Sequence, residues 1–169
     1  MNMKIDCSYE TMREADLEEV LHIERAVFKH PWSKDFFRLI MSDANNYVIT
    51  LKKDDSIIGY GGYHFLSQQS DFRLTAKKYE RVIHLINIAI QPNQQSRGFG
   101  TFLLSTLTDH ARSRNGSYCY LEVRPSNSRA ITFYGRSGFS IIGLIENYYP
   151  QECENALVMG KEITRLVNH

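Results

Sequence analysis

Residues 84–107 restrict the possible folds of this chain more than any other stretch. Residues 85–90 are mostly apolar and largely β-branched, which is typical of a strand covered on both faces. Pro92 ends strand pairing because it has no backbone N–H. From Phe99 onwards, apolar residues recur at helical spacing and give the helix one buried face. The stretch therefore predicts a strand, a loop and a helix in that order.

Two glycines, Gly98 and Gly100, make this loop informative. A side chain would keep a ligand away from the backbone, whereas glycine lets it come close. The amides of residues 96–101 would then point at one spot at the helix N-terminus, where unpaired donors and the helix dipole favour an anion. We therefore predict a phosphate or pyrophosphate site. The alternative, which an isolated G-x-G more often favours, is a tight strand-to-helix turn without a ligand.

Two well-known nucleotide motifs do not fit this loop. No Gly-Lys-Ser/Thr follows the glycines, so the pattern is not that of a P-loop for a magnesium nucleotide. The third glycine of the dinucleotide fingerprint is also missing.

Length and charge narrow the class of protein. The chain has 169 residues, which predicts a single domain over residues 1–169. Basic residues exceed acidic ones by only one, 20 against 19, so no general basic field favours a nucleic-acid partner. No apolar run approaches the ~20 residues of a membrane span. Because the first ten residues lack an apolar signal core, we expect a cytoplasmic protein without a membrane partner.

The cysteines do not indicate a metal site. Cys7, Cys119 and Cys153 are odd in number and widely spaced, and they form no C-x-x-C pair. This spacing predicts neither a disulfide framework nor a zinc site, and we expect no metal.

Hydrophobic patterns predict the remaining elements. Helices begin near Asp16 and Ser33, residues 47–66 form a β-hairpin, and the polar residues 67–81 form a long connection. The elements expected after the central stretch are a strand at 118–123, a helix that ends near Gly138, a strand at 139–145, a loop at 147–155 and a last strand at 156–163. This order fits an α/β fold with one mixed sheet and helices on both faces.

The loop motif carries a family resemblance. Gln95-x-x-Gly98-x-Gly100 after an apolar strand resembles the acetyl-coenzyme A motif Gln/Arg-x-x-Gly-x-Gly/Ala of the GNAT N-acetyltransferase superfamily. Within that superfamily the chain is most similar to the ribosomal-protein-alanine N-acetyltransferases, the RimI branch. The similar segments are His22-Ile23-Glu24, FKHPWS at 28–33, NIAI at 87–90, LEVR at 121–124, Ser126-Asn127, Tyr134, SGF at 137–139 and NYYP at 147–150.

The resemblance implies a fold and a cosubstrate. The GNAT fold is a central mixed sheet, flanked by helices, whose splayed central strands bind acetyl-CoA. A backbone N–H within residues 88–90 would be the donor to the oxyanion. Asn127 would contact the coenzyme, although a helix N-cap is its simpler interpretation. The residues that the resemblance places against acetyl-CoA are Ile88, Ala89, Ile90, Gln95, Ser96, Arg97, Gly98, Phe99, Gly100, Thr101 and Asn127.

Two residues are candidates for proton transfer. Glu122 lies on a predicted strand and points to the opposite face from Leu121 and Val123. The residues alone leave two roles open for it, a general base or a salt bridge with Arg124, and the resemblance favours the base. Tyr134 on an amphipathic helix is ordinarily part of the core. The resemblance implies that its phenol protonates the departing thiolate.

The acyl acceptor is the least constrained prediction. Trp32, Tyr148 and Tyr149 lie in predicted loops, where aromatic residues often form recognition surfaces, and packing is the alternative. Glu24 would pair with a cationic substrate or lie solvated on its helix. The resemblance implies that the acceptor is a protein N-terminus, the alanine of a small-subunit ribosomal protein. Two other functions stay open: acetylation of a small amine or a lysine side chain, and coenzyme A binding without catalysis.

Overall fold

The structure, a computed structural model, describes residues 6–66, 79 and 81–163. Apart from Tyr79 and Arg81, the predicted 67–81 connection lies outside the described residues. The strands are β1 (Ser8–Thr11), β2 (Asn46–Lys53), β3 (Ser56–Phe65), β4 (Val82–Ile90), β5 (Tyr118–Val123), β6 (Ser140–Tyr149) and β7 (Glu154–Glu162). The α-helices are α1 (Leu17–Val27), α2 (Lys34–Ser42), α3 (Phe99–Ser113) and α4 (Ser128–Arg136).

The strands form one mixed sheet in the order β1-β2-β3-β4-β5-β7-β6. Strands β4 and β5 are parallel, whereas β5 and β6 each run antiparallel to β7. The predicted fold class, a mixed α/β sheet with flanking helices, is confirmed. The chain divides into two compact units, Met1–His64 with Ile86–Leu107 and Phe65–Leu85 with Thr108–His169. A single domain over 1–169 stays a prediction.

The first unit begins with two helices whose starts follow from local sequence. Apolar residues on one face of α1 are buried, and the Ser33 hydroxyl accepts a hydrogen bond from the backbone N–H of Phe36 at 3.2 Å, which caps α2 as predicted. The β2–β3 hairpin turns at Asp54 and Asp55, which have φ values of 48° and 62°. The buried core of this unit contains Met12, Leu17, Val20, Leu21, Ile23, Phe37, Ile40, Val48, Ile57, Tyr60 and Ala89.

Glycine on β3 allows a close backbone approach. A side-chain carbon at Gly59 would lie 2.7 Å from the carbonyl oxygen of Ala89. The end of β4 therefore packs close against β3 at this glycine.

In the second unit, β5 pairs in parallel with the start of β4. Residues Val82 to His84 are in register with residues Tyr118 to Tyr120. Before β5, the N–H of Gly116 donates to the carbonyl of Ala111 at 2.7 Å and closes the end of α3. Asn115, which precedes this glycine, has a φ of 65°, so the chain leaves the helix through a left-handed residue.

One predicted boundary is wrong. The connection predicted over residues 147–155 is shorter, residues 150–153, because β6 continues to Tyr149 and β7 begins at Glu154. Asn147 has a φ of 52°, and the β6–β7 register shifts between Ile145 and Tyr149. This irregularity breaks the alternation that identifies a strand in sequence. Tyr148 and Tyr149 therefore lie on a strand, whereas Trp32 lies between α1 and α2, as predicted.

Among the described residues, no helix combines the length and the apolar character needed to cross a membrane.

Candidate active site

The glycine loop lies in the first unit, between β4 and α3. The side-chain amide of Gln95 donates to the carbonyl of Ile90 at 2.8 Å and ties the loop to the end of β4. Ser96 and Gly98 have φ values of 63° and 89°, so the chain reverses through left-handed conformations. Glycine at position 98 is thus required by the backbone itself.

Gly100 is a different case. It lies in the first turn of α3 and has a helical backbone, whereas Gly98 and Gly138 have positive φ values. Because its conformation suits any residue, the backbone does not explain the glycine. The first hydrogen bond of α3 runs from the N–H of Phe102 to the carbonyl of Gly98 at 3.0 Å. The amides between them have no acceptor within the helix, which is the arrangement that favours an anion.

The end of β4 contains residues 88–90, in which the oxyanion donor is predicted. Ala89 and Ile90 are buried, and Ile88 is half-buried. The N–H of Gln91, which follows the strand, donates to the carbonyl of Ile58 at 2.8 Å. That residues 88–90 stabilise an oxyanion stays a prediction.

Glu24 is the centre of a buried network in the first unit. Its side chain is not solvated, because the residue is only 1% exposed. One carboxylate oxygen accepts from the N–H of Trp32 at 2.9 Å, and the other accepts from the Tyr60 hydroxyl. The amide of Asn87 donates to the same hydroxyl at 2.8 Å. The network therefore fixes the backbone at Trp32. Glu24 is neither solvated on its helix nor left open to pair with a cationic substrate, and its role in this structure is structural.

Burial raises the pKa of Glu24, and the hydrogen bonds from Tyr60 and Trp32 offset this effect in part. Burial and the charge of Glu24 raise the pKa of Tyr60. The phenol therefore remains a hydrogen-bond donor to the carboxylate at neutral pH.

We expect Tyr60→Phe to lower the free energy of unfolding by about 2 kcal/mol, since a buried carboxylate loses a donor. Without that donor the pKa of Glu24 rises further. A carboxyl group whose pKa is higher in the folded protein than in the unfolded chain stabilises the folded state at pH values below the unfolded-state pKa. This stabilisation is lost as the pH rises through the folded-state pKa. The loss of stability should therefore be larger at pH 7 than at pH 5. Urea unfolding at both pH values measures it.

Tyr9→Phe is the control, because it removes a hydroxyl from a side chain that is 47% exposed. Equal stability of Tyr60→Phe and Tyr9→Phe at pH 7 would contradict the importance of the network.

In the second unit, Glu122 faces the same side of β5 as Tyr120. A carboxylate oxygen of Glu122, Oε2, lies 2.5 Å from Nε2 of His84, which is in register with Tyr120 on the neighbouring strand. The ring of His84 stacks on that of Tyr120, with centroids 4.7 Å apart and planes at 14°. The side chains of His84 and Glu122 are 23% and 12% exposed. The carboxylate is thus held close to the surface by an imidazole.

Arg124 pairs elsewhere. Its guanidinium lies 2.8 Å from the carboxylate of Glu152, 3.7 Å from that of Glu154 and 3.7 Å above the ring of Tyr149. The salt bridge considered for Glu122 and Arg124 is therefore replaced by these contacts.

Tyr134 lies on α4 and is half-buried. Its ring packs against those of Phe133 and Phe139, with centroids 5.1 and 5.7 Å away. Burial raises its pKa, so the phenol keeps its proton at neutral pH. It can therefore act as a proton donor but not as a base.

Asn127 caps α4, since its side-chain oxygen accepts from the N–H of Ala130 at 3.1 Å. The N-cap interpretation is confirmed, and contact with the coenzyme stays a prediction. On β6, Tyr148 and Tyr149 pack edge to face, with centroids 4.9 Å apart. Tyr148 is 42% exposed, and burial raises the pKa of Tyr149 to about 12.

The structure groups the predicted residues within each unit. In the first unit, the loop residues 95–101 follow directly on the end of β4. In the second unit, Glu122 lies among tyrosines. Sequence reasoning missed His84 as the partner of Glu122. The signal was present in the chain, because a histidine in an otherwise apolar strand is unusual.

Comparison with known proteins finds acetyltransferases by family model, by sequence and by structure. The family model described as "Acetyltransferase (GNAT) family" matches residues 17–139. The chain is 31% identical over 157 residues to the ribosomal protein bS18-alanine N-acetyltransferase of Salmonella typhimurium, covering 88% of this chain and 93% of that protein. It is 30% identical over 150 residues to the N-alpha-acetyltransferase RimI of Mycobacterium tuberculosis, covering 88% of this chain and 87% of that protein. The crystal structure of the ribosomal-protein-alanine N-acetyltransferase from Escherichia coli superposes with a TM-score of 0.78 at 25% identity, over 96% of this chain and 97% of that one.

Proposed function

Because this chain belongs to the GNAT acetyltransferase family, we propose that it acetylates the N-terminal alanine of a small-subunit ribosomal protein. Enzymes of this family use acetyl-CoA as the acetyl donor. Relatives that share about nine-tenths of this chain's length carry names with that substrate. A ribosomal substrate would place the reaction in the cytoplasm.

The observation that carries the proposal is the presence, in one compact unit, of a carboxylate held by a side chain and a phenol that keeps its proton. Glu122 is fixed by His84, and burial keeps the proton on Tyr134. Acetyl transfer to an amine needs a group that takes a proton and a group that gives one.

In the mechanism that we propose, Glu122 removes a proton from the substrate ammonium, directly or through one water. The nitrogen lone pair then attacks the thioester carbon, and the electron pair of the carbonyl π bond moves to oxygen as an oxyanion, which a hydrogen-bond donor stabilises. The carbon–sulfur bond breaks as Tyr134 gives its proton to sulfur. The nitrogen, still carrying two hydrogens after the attack, gives up one of them through water to the tyrosinate, and Glu122 returns its own proton to the solvent. A free α-amine has a pKa of about 8, so a modest pull suffices.

The amides of residues 96–101 would hold the coenzyme's pyrophosphate, with Gln95 fixing the loop. The fit rests on two observations of this chain: the first amides of α3 have no acceptor within the helix, and the glycine at position 100 is not required by its backbone. Tyr148 and Tyr149 on β6, and Trp32 before α2, would contact the acceptor peptide.

A panel of acceptors tests the proposal through release of free thiol from acetyl-CoA. The panel holds a peptide that begins Ala-Arg, one that begins Met, one with a blocked N-terminus and an internal lysine, and a polyamine. We expect turnover on the free Ala-Arg peptide. Turnover confined to the blocked peptide or the polyamine would assign the chain to lysine or small-amine acetylation instead. Coenzyme binding without turnover on any acceptor would favour a non-catalytic protein.

Glu122→Gln should lower kcat at neutral pH by roughly 10²-fold or more, which is the usual contribution of general-base catalysis. Without the base, only amine that is already neutral can react. The acidic limb of the pH–rate profile should therefore move up, towards the ordinary pKa of an α-amine at about 8. Initial rates across the pH range measure this shift.

Glu146→Gln is the matched control, because Glu146 is an exposed glutamate on β6 in the same unit. Its profile should match that of the wild type. An unchanged pH–rate profile in Glu122→Gln would show that Glu122 is not the general base and has a structural role.

A further inference from the structure

His84 is a titratable side chain that the proposed mechanism does not use. It lies on β4, its ring stacks on Tyr120, and its Nε2 lies 2.5 Å from a carboxylate oxygen of Glu122. Two contacts thus fix the ring, one through its face and one through its edge. A histidine that only filled space would not need the second contact.

Among the described residues of this unit, tyrosines and a cysteine surround the pair, and Arg124, two residues beyond Glu122 on β5, is paired with Glu152 and Glu154. Tyr120 and Cys119 lie on β5, and Tyr148 and Tyr149 lie on β6. Burial, followed by charges that include Glu122, raises the pKa of each of the three tyrosines, and burial raises that of Cys119. All four stay neutral between pH 5 and 8. Imidazole is the side chain that ordinarily changes charge in this range.

We propose that His84 is a positioning residue that acts through Glu122 and makes the proposed base active only while the imidazole is neutral. The inference rests on the proposed function, since it assigns a regulator to the same carboxylate.

The neutral imidazole donates its Nε2–H to Oε2 of Glu122. This bond orients the carboxylate and leaves Oε1 to accept the proton of the substrate ammonium. The proton leaves nitrogen with its bonding pair remaining there as the nucleophilic lone pair, and it forms a new O–H bond on Glu122. When a second proton adds to Nδ1, the imidazolium forms an ion pair with the carboxylate. Its positive charge makes the carboxylate a weaker base and repels the cationic substrate.

The variant His84→Gln separates two properties of the histidine: its hydrogen bond to Glu122 and its change of charge with pH. A glutamine amide places a donor at a reach similar to that of Nε2, but it does not titrate. At pH 8 we expect kcat close to that of the wild type. Between pH 8 and 5.5 the wild type should lose several-fold more activity than His84→Gln, since an imidazole can take up a proton over this interval whereas an amide cannot. His84→Ala should lower kcat at every pH, because it also removes the donor.

His64→Gln is the control for changing a histidine. His64 bonds to the side chain of Asn46 at 2.6 Å in the first unit, and its variant should keep the wild-type slope. In a Glu122→Gln background, His84→Gln should produce no further change of slope. Equal slopes for His84→Gln and the wild type would overturn the proposal.

A second readout needs no turnover. The proton NMR signals of the His84 ring, assigned by their loss in His84→Gln, give its titration midpoint. In Glu122→Gln, the midpoint should move to lower pH than in the wild type, because the charged form of the imidazole loses its carboxylate partner. An unchanged midpoint would overturn the coupling between the two residues. Failure of every acceptor would instead count against the proposed function, and the midpoint would still decide the coupling.

Discussion

Replacing Tyr134 with phenylalanine should lower kcat by roughly 10²- to 10⁴-fold, the range in which general acids contribute. The departing thiolate would lose its proton donor, since burial keeps the phenol of Tyr134 protonated at neutral pH. The ring contacts with Phe133 and Phe139 remain in the variant, so the affinity for acetyl-CoA should change little. Steady-state rates and calorimetric titration with acetyl-CoA measure the two quantities separately.

Tyr118→Phe is the matched control, because it removes a hydroxyl from another tyrosine of the second unit whose pKa is raised by burial. It should keep its turnover. A Tyr134→Phe enzyme that loses coenzyme affinity instead of kcat would assign this residue to binding.

Gly100→Val should weaken acetyl-CoA binding by at least about a hundredfold. The branched side chain would fill the space above the first amides of α3, and loss of two charge-assisted hydrogen bonds costs roughly 3 kcal/mol or more. Position 100 tests this better than position 98, because Gly98 has a φ of 89° and any side chain there is strained. Titration calorimetry with acetyl-CoA gives the affinity.

Ser105→Val is the control for a β-branched residue in α3, since Ser105 is exposed on the same helix beyond its first turn. It should bind acetyl-CoA as the wild type does. Unchanged affinity in Gly100→Val would remove the phosphate site from this loop.

Much of the fold could be predicted because the relevant signals are local. The strand and helix of the central stretch differ in hydrophobic period, and a proline and two glycines lie between them. The cap at Ser33 and the stop at Gly116 depend on residues a few positions away. Such signals are complete within a short window of sequence.

The errors have physical causes that sequence patterns do not contain. Asn147 interrupts β6 with a left-handed residue, and the strand then loses its alternation and resembles a loop. The sequence of the helix suggests that Glu24 is solvated, but its carboxylate accepts a hydrogen bond from Tyr60, which is 36 positions away along the chain. The partner of Glu122 is 38 positions away, on the neighbouring strand. Long-range pairings of this kind depend on tertiary structure.

The candidate site was predicted mainly through resemblance. The position of Gln95, Gly98 and Gly100 before a helix follows from the residues, and the structure places them at the N-terminus of α3. Roles for Glu122 and Tyr134 came from the family pattern, because a carboxylate on a strand and a tyrosine on a helix have ordinary structural explanations. Those roles stay predictions that the variants above test.

N-terminal acetylation by this chain can be measured directly as the position of the transferred acetyl group on a single peptide that offers both kinds of amine. The peptide begins Ala-Arg, has a free N-terminus and carries an internal lysine. After incubation with acetyl-CoA and the enzyme, tandem mass spectrometry locates the added group. We predict that the acetyl group is found on the α-amine of alanine and that the lysine stays unmodified. Acetyl on the lysine side chain with a free α-amine would contradict N-terminal acetylation as the function of this chain.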